Sequence, residues 1–245
     1  MTPMTVCIVT GGGGVRIGHG ISEALAAKGW TVVVADADLA AAEAVAHRIG
    51  GTALPLDVTD AGSVTALMDT VRVRFGRLDG LVNSAGVGLW VRAGDVTDAQ
   101  FDRLHAINVR GPWRMIRAAL PQMLDGGGGA IVNIGSVHSR SAEVEYSIYA
   151  GTKAGLAALT RGVARGYGPS GIRCNIVHPG AVEPDGREHD LDAFVAAHQM
   201  LPSAVRPIDI GNAVAFLLSA EARAITGAEL FVDGGMTAML VDRSS

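Results

Sequence analysis

Val6-Cys7-Ile8-Val9-Thr10-Gly11-Gly12-Gly13-Gly14-Val15-Arg16-Ile17-Gly18-His19-Gly20-Ile21 takes an unbroken apolar run into a cluster of glycines and on into a segment of helical character. An apolar run without alternation belongs to a strand buried on both faces, as in a parallel sheet covered by helices. Glycines at the exit of such a strand allow a tight turn. They also let backbone N–H groups and a helix N-terminus approach a pyrophosphate closely. Gly11, Ile17 and Gly18 are therefore candidate dinucleotide contacts, with Arg16 among them.

Working outward, six further apolar runs follow at 31–35, 52–56, 81–83, 130–134, 172–177 and 229–232, with Ala-rich amphipathic segments such as 40–49 and 64–75 between them. This alternation predicts one doubly wound α/β domain over residues 1–245. It is a Rossmann-type parallel sheet of about seven strands with helices on both faces. Gly126-Gly127-Gly128-Gly129 precedes a strand and not a helix, so it reads as a tight loop and not as a second phosphate site. Apolar residues make up 49% of the chain, enough for a sizeable core, and the formal charge of −4 offers no basic field for nucleic acid. Cys7 and Cys174 sit inside apolar runs and read as buried free thiols. The first strand starts at Val6 and no apolar run approaches 18 residues, so a cytoplasmic protein with no membrane partner is expected. The seven histidines show no His-x-x-x-His spacing, and no metal site is expected.

The second run ends Val33-Val34-Ala35-Asp36. A carboxylate there accepts hydrogen bonds from an adenosine ribose and repels a 2′-phosphate, which makes NAD the expected cofactor. Arg16 argues the other way and keeps NADP open, because a guanidinium near that ribose welcomes a 2′-phosphate; pairing with Asp36 or facing solvent are its other options. The plain structural alternative for Asp36 is a helix cap shared with Asp38.

Chemistry is carried further along. Lys153 is one of two lysines against 18 arginines and stands four residues after Tyr149, while Ser136 follows the run Ala130-Ile131-Val132-Asn133-Ile134-Gly135. With residues 147–167 as a helix, Tyr149 and Lys153 share a face. A compact ammonium there favours the phenolate and lowers the tyrosine pKa, so the phenol can exchange a proton near neutral pH. Ser136, at the strand end, can hold a substrate oxygen beside it. This is an apparatus for oxidising an alcohol or reducing a carbonyl.

Asp57-Val58, Asn83-Ser84-Ala85-Gly86, Asn108-Val109, Pro179-Gly180 and Val232-Asp233-Gly234-Gly235 complete an ordered set with the glycine loop, Ser136 and Tyr149-x-x-x-Lys153. Across nearly its whole length the chain resembles the short-chain dehydrogenase/reductase family. The resemblance implies that Asp57 and Val58 hold an adenine and that Asn83, Ala85 and Gly86 wall the cofactor cleft. It implies that Asn108 supports a water-linked proton relay to Lys153, and that Lys153 and Tyr149 also meet the nicotinamide riboside. Pro179, Gly180 and Val182 should border the nicotinamide. Relatives pair the helices near 101–124 and 147–167 across a two-fold axis and commonly form tetramers. Trp113, Ile116, Leu120, Leu156, Leu159 and Val163 look like an apolar surplus on those helices, so a homotetramer with the tail at 236–240 in a contact is expected.

Three departures from the family pattern matter. The glycine loop is one residue longer and carries Arg16 at its middle glycine; Glu183-Pro184 replaces a threonine after Pro179-Gly180; and Tyr146 stands seven residues before Lys153. That last spacing resembles the enoyl-carrier-protein reductase branch, which keeps carbon–carbon double-bond reduction by Tyr146 as an alternative. A catalytically silent nucleotide-binding sensor is another, although it has no use for a proton donor. The substrate pocket should come from 87–94, 137–146 and a lid at 183–202, with Ser136, His138, Tyr146 and Tyr149 as substrate contacts. Their polarity suits a small hydroxylated or anionic molecule.

Overall fold

The continuous apolar runs become seven strands: β1 Val6–Thr10, β2 Thr31–Asp36, β3 Thr52–Pro55, β4 Gly80–Asn83, β5 Gly129–Ile134, β6 Ile172–Pro179 and β7 Glu229–Val232. The computed structural model describes residues 5–14, 16–141, 143–182 and 191–239. All strands lie in one parallel sheet ordered β3-β2-β1-β4-β5-β6-β7. Every residue of β1 and β4 is buried, as a strand covered on both faces requires. Each face has its own core. Ile8, Leu81 and Ile131 pack on one side, and Val9, Val34 and Val132 on the other. Side chains of this size contribute about 1.5–3 kcal/mol each when fully buried.

The covering helices are α1 Gly18–Ala27, α2 Leu39–Ile49, α3 Ala61–Phe75, α4 Asp98–His105, α5 Gly111–Asp125, α6 Ser147–Tyr167, α7 Leu191–His198 and α8 Pro207–Leu218. Asp38 is the cap of α2, accepting from Ala41 N at 3.1 Å, which leaves Asp36 free of that task. β6 runs two residues past its expected end because β7 pairs with it there, Pro179 opposite Val232.

Two expectations are corrected. The helix expected over 101–124 is broken into α4, a π-helical turn Ala106–Arg110, and α5. Pro112 has no N–H to give and disfavours a regular helix at Gly111, and the wider turn absorbs the mismatch. The apolar surplus is also mostly absent. Ile116, Leu120, Leu156 and Val163 are 2%, 8%, 1% and 7% exposed within the single chain, and only Trp113, at 42%, faces out clearly. The reason is that α5 packs against α3 as well as the sheet, and α6 packs against α4 as well as β6, so each buries more than one stripe. Of the expected lid, 183–190 lie outside the described residues and Leu191–His198 forms α7; in the tail, Leu240 lies outside them as well. No helix among the described residues is long and apolar enough to cross a membrane.

Candidate functional site

The strand order reverses between β1 and β4, and the crevice outside the carboxyl ends of the strands is where open α/β sheets bind ligands. A cavity of about 770 Å³ opens there, with Gly11, Gly18 and Asp36 at one end and Tyr146, Tyr149 and Lys153 at the other.

The glycine loop is shaped by contact. Gly11 has φ +64, and a Cβ on Gly18 would fall 1.9 Å from the Gly11 carbonyl oxygen, so the loop closes on itself only because both positions are bare. This brings the N-terminus of α1 to the cavity wall. Asp36 braces the loop: its carboxylate accepts from Gly13 N at 3.0 Å and Asp38 N at 3.1 Å while still lining the cavity. Among the described residues Arg16 makes no ion pair with Asp36. It lines the cavity, and its charge acts on the phenols of Tyr146 and Tyr149. A bare-glycine cradle at a helix N-terminus, with a carboxylate one strand over, fits a dinucleotide.

The other predicted cofactor residues divide. Ile17, Asp57, Val58, Ala85 and Gly86 line the cavity, whereas Asn83 does not. The Asn83 amide turns into the sheet and donates to Asn133 Oδ1 at 2.8 Å, and Asn133 in turn donates to Thr160 Oγ1 at 2.8 Å. Asn83 therefore braces the wall from behind and does not face the cleft. Pro179, Gly180 and Val182 also lie off this cavity; a Cβ on Gly180 would meet Asp233 at 2.8 Å, and Val182 bridges to Val205. Asp57 accepts from Thr59 N and Oγ1 at 2.8 and 2.7 Å, and these bonds hold its carboxyl below the usual range. Thr10, not singled out in the sequence, ties the two sides of the crevice together, its Oγ1 accepting from both Ser84 N and Ala85 N at 3.1 Å.

The catalytic candidates come together at the far end. Asn108 is fully buried in the π turn, its Oδ1 accepting from Val87 N and its Nδ2 donating to Val87 O, both at 2.9 Å, and to Thr152 Oγ1 at 3.2 Å. Lys153 is 5% exposed and donates to the Ile134 carbonyl at 2.9 Å, with Nζ 5.7 Å from the centre of the Tyr149 ring. A Cβ on Gly86 would lie 3.3 Å from Lys153 Nζ and 3.4 Å from Asn108 Oδ1, so both groups converge on that bare position. Ser136 Oγ accepts from His138 N at 3.2 Å.

The expected lowering of the Tyr149 pKa by Lys153 is not what the structure gives. Burial pushes the phenol up to about 12; the Ser136 hydroxyl and the more distant Arg16 pull it down, and Tyr146 adds to the rise. Lys153 itself is pushed down to about 8 by burial. Tyr146 also stands above its ordinary value, burial being the chief cause. Around the two phenols is an aromatic wall: Tyr146 lies 4.4 Å from Trp90, 4.7 Å from His138 and 4.7 Å from Tyr149 between ring centres. His138 Nδ1 is buried there with no hydrogen-bond partner among the described residues. Among the described residues no group of three His, Cys, Asp or Glu side chains is placed to hold a metal ion.

The Lys153 shift has a testable sign. Between about pH 8 and the ordinary lysine value of 10.5 the unfolded chain keeps a proton that the folded chain has lost, so stability rises with pH across that window. The gain is on the order of 3 kcal/mol at most. Tyr149 acts in the opposite sense above its ordinary value of 10, because there the unfolded chain sheds its proton first. Thermal unfolding from pH 7.5 to 9.5 should thus show a rising midpoint that Lys153→Met flattens. An unchanged slope in the variant would place the titration elsewhere.

A family model described as Enoyl-(Acyl carrier protein) reductase matches residues 14–237. D-threitol dehydrogenase of Mycolicibacterium smegmatis is 36% identical over 241 residues, covering 95% of this chain and 92% of that protein. Cyclopentanol dehydrogenase of Comamonas sp. is 36% identical over 245 residues, covering 95% of this chain and 97% of that protein. Among solved structures, "a putative short-chain dehydrogenase/reductase from Burkholderia xenovorans" superposes with a TM-score of 0.90 at 35% identity, covering 97% of this chain and 98% of that one.

Proposed function

The chain belongs to the short-chain dehydrogenase/reductase family, and we propose that within it the protein is an NAD-dependent dehydrogenase of small secondary alcohols with Tyr149 as its acid/base. The observation that carries this reading is one continuous cavity with the Asp36 carboxylate at one end and the Tyr149–Lys153 pair at the other. Relatives named as dehydrogenases of threitol and cyclopentanol support a hydroxyl group as the reacting function.

A bound nicotinamide supplies the hydride acceptor for oxidation, or the donor for reduction. The chain does the rest. Gly11 and Gly18, with the N-terminus of α1, take the pyrophosphate, Asp57 and Val58 flank the adenosine side, and Ala85 and Gly86 wall the cleft on the way to Lys153. Ser136 Oγ holds the substrate oxygen. In oxidation Tyr149 takes the hydroxyl proton as the C–H hydride leaves, and in reduction it returns that proton to the carbonyl oxygen. With its phenol raised to about 12, Tyr149 holds its proton at neutral pH, so alcohol oxidation gains with rising pH. Asn108 and Lys153 converge at Gly86 and are placed to resupply the proton through water. Trp90, His138 and Tyr146 form the substrate wall, and His138 Nδ1, without a partner among the described residues, suits a second hydroxyl on the substrate.

Purified protein mixed with NAD⁺ and a panel of sugars, hydroxy acids and cyclic alcohols, followed at the reduced-nicotinamide absorbance, tests the activity. On cofactor choice, kcat/KM with NAD should exceed that with NADP, because the Asp36 carboxylate repels a 2′-phosphate. Asp36→Ala should narrow the gap, and a clear NADP preference in the wild-type protein refutes the assignment. The chain reads as one dinucleotide-binding unit assembled as a homotetramer. With most of the apolar surplus accounted for inside the chain, assembly rests on family resemblance and on the exposed rings of Phe101 and Trp113.

The enoyl-type reading has its own support, in the description of the matching family model and in the place of Tyr146 within the cavity. The paired tyrosine variants treated in the Discussion separate the two.

A further inference from the structure

We propose that His178 and Glu229 are a positioning pair beneath Ser136, the neutral His178 ring holding the serine peptide in the orientation that turns its hydroxyl toward Tyr149. The proposal rests on the reading of Ser136 and Tyr149 as partners in proton transfer. His178 lies on β6 and is completely buried. Its Nδ1 is 3.1 Å from Ser136 N, 3.1 Å from Ser139 Oγ and 2.9 Å from Ser136 O. On its other edge Nε2 stands 3.2 Å from Glu229 Oε2, off the line of a straight hydrogen bond but within reach of the carboxylate charge. The ring stacks on Phe231 at 4.7 Å and 21°. It reaches this place only because Gly135 is bare: a Cβ there would fall 2.3 Å from Nδ1.

One nitrogen facing two donors and a carbonyl makes the ring's protonation consequential. With its proton on Nε2, toward Glu229, the ring offers a lone pair at Nδ1 that accepts from the Ser136 N–H and the Ser139 hydroxyl. An imidazolium has no such lone pair. Its Nδ1–H must donate to the Ser136 carbonyl, and the buried Ser136 N–H loses its partner. The ring's proton therefore decides which peptide group flanking the serine is held. The charges facing the ring are Glu229 on β7 and Arg140 after β5. Arg140 sits over Phe231 at 4.9 Å and reaches Glu229 at 3.4 Å, while Arg161 of α6 binds Glu229 at 2.5 Å. Burial holds His178 below the ordinary histidine range, with Glu229 opposing, so the accepting form prevails at neutral pH.

The test uses the full chain. The amide signal of Ser136 is followed by NMR across the acid range, and its hydrogen exchange is measured in His178→Leu, His178→Asn and Glu229→Gln. Leucine fills the space without an acceptor, and asparagine restores an acceptor near Nδ1 that does not titrate. Expected results are Ser136 amide exchange faster by about tenfold or more in His178→Leu and largely restored in His178→Asn. The wild-type acid titration of that amide should be lost in both and moved to lower pH in Glu229→Gln, which removes the charge that favours the imidazolium. In turnover with NAD⁺ and the alcohols of the panel, His178→Leu should lower kcat by about tenfold, with NAD⁺ affinity unchanged and most of the loss recovered by asparagine. If leucine and asparagine behave alike, or the Ser136 amide ignores the titration, the inference is overturned. Those outcomes leave the role of Tyr149 standing, whereas a Tyr149→Phe protein with normal turnover defeats the role of Tyr149 whatever the amide shows.

Discussion

Tyr149→Phe is expected to lower turnover by at least ~10²-fold, the usual scale for losing a positioned acid/base, while NAD⁺ binding persists. The variant deletes one oxygen from a ring whose packing against Tyr146 at 4.7 Å is otherwise kept, so the loss reports chemistry and not collapse of the pocket. Tyr146→Phe should be milder on an alcohol substrate and act mainly on KM, because Tyr146 belongs to the wall with Trp90 and His138. Steady-state kinetics of both variants settle the matter. If Tyr149→Phe keeps near-normal kcat and Tyr146→Phe does not, the enoyl-type reading takes over.

Gly18→Ala should produce the largest structural effect. The added methyl would sit 1.9 Å from the Gly11 carbonyl oxygen and 2.8 Å from its carbon, and backbone atoms cannot step aside as a flexible side chain can. Overpacking of this kind costs about 1–3 kcal/mol, which for a chain of this size is a fall in Tm of roughly 2–12 °C. Opening the turn also pulls the N-terminus of α1 away from the cavity, so NAD⁺ affinity should drop by about tenfold or more. Gly166→Ala, in the last turns of α6 with open space around it, is the control; it should be neutral or gain about 0.5–1 kcal/mol. Calorimetry and cofactor titration of the two variants check this. Equal behaviour would mean the loop has room that the geometry denies it.

What the sequence by itself determined are the features whose physics is local. Continuous apolar runs placed all seven strands to within a few residues, most sharply β1, whose every residue is buried. Residues 147–167 formed the expected helix without a residue's difference, bringing Tyr149 and Lys153 onto one face. The glycine loop before the first helix announced its cleft because only bare residues permit that turn.

The tertiary structure decided what depends on partners distant along the chain. Asn133 sits in an apolar strand run, and its part in bracing Asn83 became visible only once β4 and β5 were paired. The periodicity of α5 and α6 showed apolar faces but not how many elements each would meet, so residues packed on α3, α4 and the core looked like surplus. Sequence spacing brought Lys153 to Tyr149 but said nothing of the Ile134 carbonyl that accepts its hydrogen bond, nor of the burial that raises the phenol pKa and lowers that of the amine. The same holds for His178, 42 residues from Ser136, whose meeting with the serine requires β5 and β6 to be neighbours in register and Gly135 to leave the gap. Periodicity tells a side chain which way to face; sheet order and register choose what it faces, and with it the solvation and charge that set its chemistry.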